Sequence, residues 1–137
     1  MGKPLLISVE TYGGWYEVIN RTQPDGTGLE ETDRDKFNKA FDSYTAGSHD
    51  IAFKGFLELS EKGSSISQYF LGVMYLKGTG ILQDFSRAHM WLNIASSQGH
   101  KKANVYLEKL TKEMSVDQVV EAQKLARECV ARSYKGC

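Results

Sequence analysis

The amino-acid sequence predicts an all-α protein: an α-solenoid of about two and a half helix-turn-helix repeats, with a C-terminal capping helix and a short N-terminal β-hairpin. From residue 32 onward, apolar residues recur every three or four positions, which is the period of amphipathic helices. This pattern also repeats along the chain. A shift of 36 positions carries Phe70 onto Tyr106, and a shift of 31 positions in the other direction carries Tyr75 onto Tyr44. Helical pairs that recur at a fixed period are typical of solenoids.

The composition restricts the classes of partner. In a chain of 137 residues, 17 lysines and arginines balance 17 aspartates and glutamates. A chain without net charge has no overall field that attracts nucleic acid or an anionic membrane. No apolar run approaches the ~20 residues that cross a bilayer. We therefore expect neither nucleic-acid binding nor membrane insertion.

Residues 1–31 are predicted to form an N-terminal hairpin and linker, before a repeat domain over residues 32–137. Two segments rich in β-branched and aromatic residues, 5–12 and 15–20, flank a Gly-Gly turn. Residues 23–28 are polar and have neither a helix nor a strand period. A lone hairpin is marginally stable in water. We therefore expect it to pack on the helices, to pair with a second copy in a homodimer, or to be partly disordered.

The first repeat is predicted from signals for the start and end of a helix. Thr32 and Asp35 have the spacing of a capping box, in which each side chain accepts a backbone N–H at the helix start. Gly47 follows the last apolar position and ends the helix at low cost. The second helix of this pair is predicted over residues 49–62. The stripe expected to be buried on the first helix consists of Phe37, Ala40, Phe41 and Tyr44.

Residues 65–99 contain the second repeat. Its first helix is predicted to end at Gly78, and Asp84 is placed to cap the second helix after a short loop. Small residues lie one turn from large ones, which lets two antiparallel helices approach closely. Large side chains expected at this crossing are Tyr75 and Trp91.

The first helix of a third repeat is predicted over residues 100–113, and the capping helix follows it. Ser115 and Gln118 form a second capping box. One face of the last helix is expected to cover the last repeat, through Val119, Ala122, Ala126 and Cys129. The opposite face is expected in water and carries Glu121, Lys124, Arg127 and Glu128.

Residues 71–103 form a pattern that resembles the Sel-one-like repeat, a relative of the tetratricopeptide repeat. The pattern is Leu71-Gly72-x-Met74-Tyr75-x-x-Gly78-x-Gly80-Ile81-x-x-Asp84-x-x-x-Ala88-x-x-Trp91-x-x-x-Ala95-x-x-x-Gly99-x-x-x-Ala103. The segment Met114-Ser115-x-x-Gln118-x-x-Glu121-Ala122-x-x-Leu125-Ala126-Arg127 is similar to the tail that closes bacterial members. The resemblance covers roughly residues 34 to 132 and implies a protein-interaction scaffold from a bacterium. Relatives with this tail are often exported. We therefore expect a periplasmic or secreted protein if the chain is a mature form, and a cytoplasmic one otherwise.

The sequence contains little that indicates catalysis. The three histidines, His49, His89 and His100, have no metal-ligand spacing with one another or with the cysteines. A hydrolase triad could be drawn from Asp84, Ser86 and His89, but these residues crowd a single helix turn and lack an oxyanion feature. We expect no enzyme, no metal and no cofactor, and we expect His89 to pack between repeats.

Cys129 and Cys137 leave two alternatives open. If a helix ran through both residues, their Cα atoms would lie ~12 Å apart at 1.5 Å per residue. A disulfide needs an approach below ~7 Å, so the chain would have to double back near Lys135 and Gly136. In an oxidising compartment this clasp would form, and in a reducing one both thiols would stay free.

The resemblance implies that the first helix of each repeat lines a concave, partner-binding groove. On this alignment the first repeat contributes Asp35, Asn38 and Asp42. The second contributes Ile66, Tyr69, Val73 and Leu76. The third contributes Lys102, Val105, Lys109 and Lys112. The groove would thus run from acidic through apolar to basic, although charges on helix faces can also be merely solvated.

Such a groove suits a protein or peptide with an apolar centre and oppositely charged ends. Four adjacent apolar residues facing water would be an unusual exposed patch, so the hairpin could also dock on them. The predicted function is that of a non-catalytic adaptor. The alternatives are an immunity or inhibitor protein that neutralises a toxin, and a hydrolase.

Overall fold

The computed structural model describes residues 32–137, which form six α-helices and contain no strand. The helices are α1 (Asp33–Ala46), α2 (His49–Ser60), α3 (Ser65–Lys77), α4 (Phe85–Ser97), α5 (Lys101–Glu113) and α6 (Val116–Ala131). The predicted hairpin, its linker and any homodimer contact through it lie outside the described residues. None of the six helices is both long enough and apolar enough to cross a membrane.

The helix boundaries follow the predicted capping residues. Thr32 and Ser115 each form a capping box, with Asp35 and Gln118 respectively. The carboxylate of Asp84 accepts the backbone N–H of Arg87 at 3.0 Å and so starts α4. These predictions are confirmed, because a cap depends only on residues three positions apart.

Two boundaries differ from the prediction. His100 precedes α5 as its N-cap, and its Nδ1 accepts the backbone N–H of Ala103 at 3.2 Å. The second helix of the first repeat ends at Ser60 and not at Lys62. Gly63 follows with a φ of 96°, a left-handed conformation that glycine adopts without steric cost.

The helices pack in chain order, α1 on α2, α2 on α3, α3 on α4 and α4 on α5, and α3 also approaches α5. This sequential stacking is the architecture of an α-solenoid. Gly72 of α3 faces Leu92 of α4 so closely that a Cβ atom on the glycine would lie 2.7 Å from Leu92 Cγ. Only glycine permits this separation of the two helices, as the small-residue pattern predicted.

Two apolar clusters form the core. The first contains Phe56, Leu71 and Trp91 and joins the first two repeats. The second is built around Leu92 and Leu110 and joins α4 to α5. Trp91 is completely buried, so the core depends on a large aromatic side chain at the crossing where the sequence placed it.

The last helix packs differently from a simple terminal cap. α6 lies along α4, and its backbone approaches that of α5 much less. Its first half contributes Ala122 to the second cluster, while Ala126 and Cys129 belong to the first cluster. The predicted buried stripe is therefore confirmed, but it covers both clusters rather than the last repeat alone.

A disulfide between Cys129 and Cys137 holds the chain after α6, with a Cα–Cα distance of 5.5 Å. The chain reverses direction earlier than predicted, because Ser133 and Tyr134 already have φ values of 55° and 68°. Gly136, at a φ of 69°, completes the turn.

The reversed tail lies against the first two repeats. The backbone N–H of Gly136 donates to Glu61 Oε2 at 3.4 Å, and Arg87 Nε donates to the carbonyl oxygen of Cys137 at 3.3 Å. A Cβ atom on Gly63 would lie 3.5 Å from the ring of Tyr134. The disulfide thus joins the end of α6 to a tail that contacts both the α2–α3 loop and α4.

Replacing Trp91 tests the core. Trp91→Ala is expected to lower the free energy of unfolding by ~3–5 kcal/mol, because truncating a buried aromatic side chain leaves a cavity. Urea denaturation at 25 °C measures this change. Leu82→Ala, at an almost fully exposed loop residue, is the control and should change stability by less than ~0.5 kcal/mol. Equal stability of the two variants would contradict the packing described above.

Removing the disulfide tests the tail. Cys137→Ser is expected to lower the free energy of unfolding by about 2–3 kcal/mol, because a closed loop of this length restricts the unfolded chain. A thiol reductant should lower the stability of the unmodified protein to that of the variant and leave the variant unchanged. Insensitivity of the unmodified protein to reductant would show that the disulfide contributes no stability.

Candidate functional site

The candidate site is the face formed by the first helices of the three repeats, α1, α3 and α5. The predicted residues of α1, namely Asp35, Asn38 and Asp42, are all exposed. Those of α5, namely Lys102, Val105, Lys109 and Lys112, are also exposed. The two ends of the predicted groove therefore carry accessible acidic and basic side chains.

The centre of this face differs from the prediction. Val73 is 4% exposed, so its assignment to an accessible apolar patch is wrong. Ile66, Tyr69 and Leu76 are half-buried. The reason is the position of α3, which packs against α2, α4 and α5. A helix with neighbours on three sides is apolar around most of its circumference, and Leu71–Met74 are four consecutive buried residues.

A row of aromatic side chains occupies the centre of the face. The ring of Phe70 in α3 lies 5.8 Å from that of Phe41 and 5.5 Å from that of Tyr44, both in α1. Tyr69 continues the row, since its ring centroid is 5.3 Å from Phe70 and 5.8 Å from Tyr106 of α5. These contacts connect all three helices. We call Phe41, Tyr44, Tyr69, Phe70 and Tyr106 the aromatic row.

Sequence reasoning placed Tyr69 on the groove, assigned Phe41 and Tyr44 to a buried stripe, and used Phe70 and Tyr106 only to define the repeat. In the structure Phe41 is 40% exposed, and the remaining four are half-buried. The signal that could have found them is the shift of 36 positions from Phe70 to Tyr106, which places an aromatic side chain at the same point of two repeats. A large ring can fill the core with one edge and reach solvent with the other.

Three tyrosine side chains of the row come from three different helices. The pKa of Tyr69 is raised to about 12, first by burial and then by Tyr106, which is both a nearby charge when ionised and a hydrogen-bond partner. Tyr44 acts in the same direction more weakly. Tyr69 is therefore protonated at neutral pH. Neutral hydroxyls can donate and accept hydrogen bonds, so this part of the face suits the amide groups of a peptide.

The ring of His100 packs against Tyr69 of the aromatic row. Its ring stacks on Tyr69 with centroids 4.7 Å apart and planes 20° apart. Its pKa is lowered, first by burial and then by the charge of Lys102. A neutral ring is needed here, because only an unprotonated Nδ1 can accept the N–H of Ala103 that starts α5.

The residues considered for a hydrolase triad have other roles. His89 is buried, and its Nε2 lies 3.0 Å from Thr111 Oγ1 in α5. Burial also lowers its pKa. The carboxylate of Asp84 is occupied by the backbone and guanidinium of Arg87. His89 thus packs between repeats, as predicted, and does not pair with Asp84.

Among residues 32–137, no group of three or more histidine, cysteine, aspartate or glutamate side chains could hold a metal ion.

Comparison with known proteins agrees with the repeat architecture. The family model of the Sel1 repeat matches residues 65–100, which comprise α3, the following loop and α4. This match confirms the resemblance to the Sel-one-like repeat over the second repeat of the chain. No curated protein matches the chain.

Buried His89 and half-buried His100 predict a pH-dependent stability. Because the pKa values of His89 and His100 are lowered in the folded protein, the unfolded chain binds protons more readily near pH 6. The free energy of unfolding should therefore fall as the pH drops below the ordinary histidine pKa of ~6.5. His100→Asn keeps an N-cap acceptor and should reduce the fall. Urea denaturation at pH ~7.5 and at pH ~5.5 measures the fall in the free energy of unfolding. This fall cannot exceed ~1.4 kcal/mol per pH unit for each histidine. An identical fall in both proteins would remove His100 from the explanation.

Proposed function

From the Sel1 repeat at residues 65–100, a type of repeat that generally mediates protein–protein interaction, we propose that the chain is a non-catalytic adaptor. It binds a segment of another protein, or a peptide, along the face of α1, α3 and α5. The observation that supports this most is the aromatic row, which crosses all three helices and has one exposed member, Phe41.

The charges at the two ends of the face select the partner. Lys102, Lys109 and Lys112 are exposed on α5, while Asp35 and Asp42 are exposed on α1. Charge complementarity guides the orientation of a ligand more than it adds affinity. A segment with an acidic end over α5, aromatic or aliphatic side chains over the row, and a basic end over α1 fits this arrangement.

We further propose that the protein resides in an oxidising compartment, the periplasm or the secreted fraction, and the disulfide supports this location. Disulfides persist in oxidising compartments and are rare in the cytosol. Cys129 is completely buried and joined to Cys137, so the folded chain holds its tail in the oxidised state.

A matched pair of substitutions tests the proposed face. Val105 on α5 is 50% exposed and Ile51 on α2 is 57% exposed. Both can therefore accept a charge without loss of folding, but only Val105 lies on the face. Val105→Asp should weaken partner binding at least ~10-fold, or ~1.4 kcal/mol, while Ile51→Asp should leave it unchanged.

The measurement begins with capture of periplasmic proteins on the immobilised full chain and on both variants. A protein retained by the unmodified chain and by Ile51→Asp, but lost from Val105→Asp, is then purified and its affinity measured by calorimetry. Lys109→Glu should weaken the same complex, with a smaller effect at high salt because exposed charges are screened. Equal affinity of Val105→Asp and the unmodified chain would overturn the proposed face.

A further inference from the structure

One flank of α6 presents a second surface, separate from the face of α1, α3 and α5. Val116, Val120 and Val130 are 51–78% exposed there. With Gln123 and Arg127 they are spaced 4, 3, 4 and 3 residues apart. Positions at this spacing lie on one side of a helix and form the contact seam of a coiled coil. We call these five residues the α6 seam.

A cleft of about 520 Å³ lies beside the α6 seam. Asn93 and Ser97 of α4 line one wall, and Gln123, Arg127 and Val130 of α6 line the other. Another helix laid against the α6 seam would therefore find an indentation along one flank, and it would contact α4 as well as α6.

The polar members of the seam have no side-chain partner among the residues that the structure describes. Among residues 32–137, the side chains of Gln123 and Arg127 make no hydrogen bond or ion pair with another residue. An arginine has five N–H donors and an amide oxygen accepts them well, so these two side chains are suited to each other on opposite sides of an interface.

We propose that the α6 seam binds the α6 seam of a second copy of this chain, with the two helices antiparallel about a two-fold axis. In this arrangement Val120 faces Val130 of the second copy, and Arg127 faces Gln123 of the second copy. Each contact occurs twice, as an isologous interface requires. A parallel pair would instead place Arg127 against Arg127, and this like-charge contact disfavours it.

The size of the seam determines the strength of the dimer. In this register the paired part of the seam runs from Val120 to Val130 and extends ~15 Å at 1.5 Å per residue, while Val116 lies beyond it. A single pair of short helices buries less than the ~1,200 Å² of stable interfaces, so the dimer is a reversible one. It leaves the face of α1, α3 and α5 free in each copy, and its presence does not depend on the proposed adaptor function.

Analytical ultracentrifugation of the full chain between roughly 10 µM and 1 mM tests the proposal, because this range brackets weak association. The expected result is a monomer–dimer equilibrium. Val120→Lys and Val130→Glu should each weaken it at least ~10-fold, since each places a charge against a valine. An equimolar mixture of these two variants should regain association, because the antiparallel order places the new lysine against the new glutamate.

Val105→Asp and Ile51→Asp, which change exposed positions away from the α6 seam, should dimerise like the unmodified protein. Circular dichroism melting curves verify that every variant is folded. A monomer across the whole concentration range would overturn the proposal. So would a dimer that both seam variants leave intact, because association would then use another surface. Association that is lost in both variants but not regained on mixing would overturn the antiparallel order.

Discussion

Burial of α4 is the constraint on which the rest of the structure depends. This helix contacts α3, α5 and α6, and seven of its thirteen residues, among them Trp91 and Leu92, are buried. Gly72 lets α3 approach closely enough for these side chains to leave no gap. The two apolar clusters meet along α4, so stabilisation by burial is shared between the repeats on either side.

The packing around α4 also separates the two surfaces of the molecule. α6 lies along α4, and the disulfide and the hydrogen bonds of Gly136 and Cys137 hold the tail against the α2–α3 loop and α4. The second helices and α6 therefore share one side of the solenoid, and the first helices form the other. The proposed partner face and the α6 seam therefore lie on different helices.

The parts of the fold that depend on local residues could be predicted from the sequence. Caps at Thr32, Asp84 and Ser115 follow from side chains that reach three residues along the chain, and the motif over residues 71–103 carried the resemblance to the Sel1 repeat. The exposure of individual side chains could not be predicted in the same way. Val73 lies on the same helix as Tyr69 and Phe70, and only the neighbours of α3 decide that the valine is covered while the two rings stay half-buried.

The dual role of the aromatic row determines how the site can be studied. Tyr69 contacts Phe70, His100 and Tyr106, so truncating it would remove core packing and a binding surface together. Loss of binding in such a variant would not distinguish the two causes. Exposed residues at the rim of the row, such as Val105 and Lys109, contribute little to the core. Because they touch solvent in the folded chain, an effect on partner binding at these positions reports on the face itself. The same reasoning makes Val120 and Val130 suitable probes of α6, whose buried side is formed by Ala122, Ala126 and Cys129.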